Sequence, residues 1–122
     1  MIAVILASGE PERLYTGLSL LVSAAAEDEP AHGLATFGAL GALLRDELPA
    51  PGPEITEREV FARTLAELRD TALALEGLRI WACAAAVETT GADREAIEAR
   101  LEGVMSTPRF LREVAGAELV VL

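Results

Sequence analysis

Short apolar runs of five or six residues alternate along this chain with longer segments in which apolar residues return every third or fourth position. Ile2-Ala3-Val4-Ile5-Leu6 is continuous rather than alternating, as expected of a strand covered on both faces, and it stops at Ser8-Gly9. Pro11 is an early helical residue, and Leu14, Leu18, Leu21, Val22 and Ala25 form one helical stripe that the acidic run Glu27-Asp28-Glu29 and Pro30 close. Gly33 to Phe37 reads as a second strand, followed after Gly38 by a short apolar helix over Ala39 to Leu48. The prolines at 49, 51 and 53 make the next stretch a stiff loop. Thr56 and Glu59 form a capping box ahead of the stripe Phe61, Leu65, Leu68, Ala72 and Leu75, which ends at Gly77.

Leu78 to Cys83 is a third strand. Gly91 and the cap Asp93 introduce a helix carrying Ile97 and Leu101, and a brief strand follows near Gly103 to Ser106. Thr107-Pro108 is a cap and first helical residue, with Phe110, Leu111 and Val114 on the inner face, and Glu118 to Leu122 is the last strand. Strands separated by helices need crossover connections, so the expected fold is a single α/β domain over 1–122. It has three α/β/α layers and a parallel sheet of about five strands, flavodoxin-like in general architecture.

Apolar residues make up 52% of the chain and aromatics only 4%, so the core is built from Ala, Leu and Val in thin layers. All ten basic residues are arginine and the net charge is −10. Lysine chemistry and a phosphate-loop lysine are thereby excluded, and nucleic acid and anionic membrane surfaces are not expected partners. One cysteine and the absence of a signal-like or membrane-length apolar run point to the cytoplasm.

Ligands of open parallel sheets gather outside the carboxyl ends of the strands, near the reversal of strand order. Cys83 lies at such an end, where backbone donors and helix N-termini favour a thiolate. A small buried hydrophobe among Ala82, Ala84, Ala85 and Ala86 is the competing reading. Ser8, Gly9, Phe37, Gly38, Ser106 and Thr107 are candidate ligand-binding residues at the same edge, with Ser8-Gly9-Glu10 opening a helix whose amides could hold an anion. His32, just before a strand, belongs to the opposite edge and to the surface, and with one Cys and one His no metal or other cofactor is expected. Ala39, Leu40, Leu43 and Leu44 could cover a pocket or meet another subunit.

The opening Ala7-Ser8-Gly9-Glu10-Pro11-Glu12-Arg13-Leu14-Tyr15, the strand-end Ala82-Cys83 with Gly91 eight residues later, and the Phe110-Leu111 helix before a terminal strand resemble the DsrE/DsrF-like proteins. The likeness runs over nearly the whole chain. It implies a cytoplasmic homo-oligomer in which Cys83 matches the sulfur-accepting cysteine, carrying a persulfide between donor and acceptor proteins as a sulfurtransferase does. The sequence departs from the family where many members have Ser or Met soon after that cysteine, since Ala84, Ala85, Ala86 and Val87 follow here. The alternative is a non-enzymatic oligomeric module that binds a small ligand or partner, with a structural cysteine.

Overall fold

The computed structural model describes residues 1–46, 48 and 58–122. In chain order the elements are β1 (Ile2–Leu6), α1 (Pro11–Ala26), β2 (Ala31–Ala35), α2 (Phe37–Leu44), α3 (Arg58–Ala74), β3 (Leu78–Cys83), α4 (Ala84–Thr90), α5 (Arg94–Arg100), β4 (Val104–Met105), α6 (Thr107–Glu113) and β5 (Glu118–Val121). The strands form one parallel sheet in the order β4-β3-β2-β1-β5. The prolines at 49, 51 and 53 and the Thr56 half of the capping box lie outside the described residues.

Crossover handedness decides where the helices go. The steps β1 to β2 to β3 to β4 all move one way across the sheet, so right-handed connections put α1 to α5 on one face; the return to β5 travels the other way and puts α6 on the second. Packing agrees. A side chain at Gly17 of α1 would run into Leu6 and reach Val4, and one at Gly33 would meet Ile80 and Leu21. Those positions alternate along the strands with His32, Trp81 and Cys83, which meet Phe110 or Thr107 of α6 or one another. Among the described residues α6 is the one helix on the second face.

Several boundaries differ from the expected ones. β2 begins at Ala31 because it pairs with β1 from Ile2↔Ala31 onward, so His32 is inside the strand, and Phe37 belongs to α2. The cap of α6 is Ser106, whose Oγ accepts the Arg109 N–H at 3.3 Å, and Leu111 is exposed while Phe110 and Val114 are buried. α1 ends where Asp28 takes the left-handed conformation, φ 60°, which Asp tolerates better than most residues, and the acids after the helix face solvent. Ala39, Leu40 and Leu43 are core residues, so α2 is no subunit surface along that side.

One ionic device holds the first-face layer together. Arg69 of α3 is 3% exposed, and its guanidinium donates to the carbonyls of Ala42 at 3.2 Å, Arg45 and Asp46 at the end of α2 while pairing with Asp70 at 3.0 Å. Arg100 of α5 reaches the Leu43 and Arg45 carbonyls at 3.3 and 3.1 Å. Carbonyls at a helix C-terminus lack intrahelical partners and carry partial negative charge, so two arginines satisfy them and tie three helices. No helix among the described residues is long and apolar enough to cross a membrane.

Candidate functional site

The carboxyl ends of β1, β2 and β3 lie side by side, and the sequence-predicted residues fall there in two groups. The first is a backbone junction. Thr36 donates its amide and its hydroxyl to the Leu6 carbonyl, at 3.0 and 3.1 Å, which brings the start of α2 against the turn after β1. A Cβ on Gly9 would stand 2.5 Å from the Gly38 carbonyl oxygen, so no larger residue fits at Gly9 without moving backbone. This contact accounts for both glycines through packing.

Ser8 and Glu10 continue that junction. The Ser8 Oγ accepts the Glu10 N–H at 3.0 Å, and the Glu10 carboxylate accepts the amides of Glu12 and Arg13 at 3.4 and 3.1 Å. The anion at this helix start is the chain's own carboxylate. Phe37 opens α2 with φ 38°, a sparsely populated region for a side-chain-bearing residue, and the residue is 51% exposed beside a groove shared with Gly38, Gly41, Leu44, Thr90 and Ala92.

The second group is Cys83 with Thr107. Cys83 ends β3 and serves as the N-cap residue of α4, but its side chain makes no capping bond. Its Sγ instead turns to the second face, 3.8 Å from the Thr107 Oγ1 at the start of α6, in a weak hydrogen bond. The thiol belongs to a residue only 4% exposed, packed within a core cluster that includes Ala82, Ala86, Val87 and Met105. Ser106 is exposed and spends its hydroxyl on the α6 cap. Strand order reverses between β1 and β5, so Ser8 and Gly9 sit near the reversal, and Cys83 lies two strands, about 10 Å, away from it.

At the opposite edge the structure assembles a group that residue-by-residue reading did not connect. His32 stacks on Trp81, centroids 5.7 Å apart, and Trp81 meets the edge of Phe110 at 6.4 Å. His32 and Arg79, paired across β2 and β3, border an open depression with Asp28, Glu29 and Glu76. His32 is half-buried rather than a plain surface residue, and burial holds its pKa below the usual 6.5. Arg79 and the N-terminal amine add to the lowering, and Glu113 opposes it. The signal was alternation: 79, 81 and 83 share one face of β3, and register puts 32 beside 79.

Comparison with solved structures places the whole chain on the ychN protein from E. coli. The TM-score is 0.63 at 16% identity, and the match covers 100% of this chain and 99% of that one. That neighbour is of the DsrE-like type, and what the two chains share is the α/β fold with its five-stranded parallel sheet. Identity this low carries the architecture and not the chemistry. No protein-family model matches the chain, and neither does any curated protein.

Proposed function

We propose that this DsrE-like chain is a single-cysteine sulfur carrier in which Cys83 holds a persulfide. The observation that supports it is the Cys83 Sγ at the carboxyl edge of a middle strand, free of any capping bond and directed at the Thr107 hydroxyl. In the proposed step the Cys83 thiolate attacks the outer sulfur of a donor protein's persulfide. The donor S–S bond breaks, a new S–S bond forms at Cys83, and the donor leaves as a thiolate, so no net oxidation occurs. Transfer to an acceptor thiol is the same step in reverse. Thr107 can donate its hydroxyl to either anion.

Burial favours a second reading, a binding module in which Cys83 is a packing residue. One experiment separates the two. Incubation with a persulfide donor followed by intact mass measurement should add one sulfur atom per chain in wild type and none in Cys83→Ala. A wild-type mass that stays unchanged, with a thiol that small alkylating reagents reach only on unfolding, leaves the module reading.

A further inference from the structure

The sheet has two edges, and they are guarded differently. β4 at one edge is only two residues long, Val104–Met105, and shortness is itself protection against stray pairing. β5 at the other edge has no such protection. The amides of Glu118 and Leu122 bond to the Met1 and Ile5 carbonyls, at 3.2 and 2.9 Å, and the Leu122 carbonyl accepts the Ala7 amide at 2.7 Å. In a parallel pair the intervening residues point their main-chain groups away, so the N–H and C=O of Leu119 and Val121 face outward. Among the described residues nothing pairs with them.

The side chains beside those groups are bare too. Leu119 and Val121, in register with Ala3 and Ile5, lie on the second face, 48% and 59% exposed. Over Leu119-Val120-Val121 there is no charge, proline or bulge, the usual guards of an unpaired edge.

We propose that β5 pairs antiparallel with β5 of a second copy of this chain, joining the two sheets into one. A second copy fits because the edge complements itself. With Val120 facing Val120 on the two-fold axis, each Leu119 lies opposite the partner's Val121, exchanging both of their N–H···O bonds. Val120, whose own groups are spent on β1, falls at the non-hydrogen-bonded position. The same register sets each Glu118 opposite Leu122 and separates the two Glu118 positions by about 13 Å along the strands. Two chains of charge −10 repel one another elsewhere, and this neutral strip is where they can approach. A contact this narrow belongs with small, weak interfaces, so the dimer forms with rising concentration.

Sedimentation over a range of concentrations, with hydrogen exchange of the Leu119 and Val121 amides, tests the pairing independently of Cys83. Wild type should show a monomer–dimer equilibrium with both amides protected in the dimer. Leu119→Lys and Val121→Lys replace exposed side chains, so both variants should keep the wild-type far-UV spectrum while dimerising at least about tenfold more weakly. Wild type that stays monomeric throughout overturns the proposal, as does a dimer that survives both lysines with those amides exchanging freely.

Discussion

The two faces of the sheet are held by different means. On the first, α1 and α3 pack together over β1, β2 and β3, burying Leu14, Leu18, Leu21, Leu65 and Ala72, and arginines tie α2 to α3 and α5. On the second, the seven-residue α6 stands alone among the described residues, fastened through Phe110 to a Trp81–His32 stack and through Thr107 to Cys83. Several helices on one side and a lone helix on the other follow from topology, because only one crossover runs backward. Cys83 and His32 both sit on the thinly covered side.

The contrast predicts unequal responses to substitution. The largest effect should come from Phe110→Ala, which removes the wholly buried anchor of α6 and should cost about 3–5 kcal/mol. Denaturant unfolding measures the loss, and the near-UV signal of Trp81 should weaken with it. If that signal and the stability both hold, α6 has other anchors and the contrast fails. Arg69→Met should come next, at about 1–3 kcal/mol for each buried carbonyl left without a partner. Because Arg100 still reaches the Arg45 carbonyl, the near-UV signal from the second face should stay as it is.

The smallest effect concerns pH. His32 has a folded pKa below 6.5, so the unfolded chain binds the proton more readily, and stability rises with pH across that interval. The contribution is fully present above about pH 6.5 and is lost as pH falls through the lower folded value. His32→Asn should flatten this part of the stability profile between about pH 7 and 5, leaving the curve above it in place. An unchanged slope would show that the second face does not sense His32 protonation.

Elements were legible where local pattern and tertiary packing agree. The apolar run at Ile2, the stripe from Leu14 to Ala25, the Asp93 cap and the strand ending at Cys83 are all present. The disagreements occur where a partner decides. Ala31-His32 extends β2 because β1 offers it hydrogen bonds from Ile2 onward, and no local preference of Ala-His announces that. Leu111 fits the spacing of an inner face but is exposed, since among the described residues α6 crosses the sheet alone and its buried positions are Phe110 and Val114. Within the site, the edge shared by Cys83, Gly9, Gly38 and Thr107 was readable from strand ends. Their division into a glycine junction and a cysteine–threonine pair was not.

Alternating periods, strand-end positions and the lack of lysine are properties of the chain as written, and they determined the α/β class, the parallel sheet and the edge on which a lone thiol would fall. Which side of the sheet each helix covers, which edge strand stays bare, and how far Cys83 withdraws from solvent were decided only in three dimensions. The reason is that these depend on strand order, and order is set by packing between segments far apart in sequence, which local hydrophobic pattern does not encode.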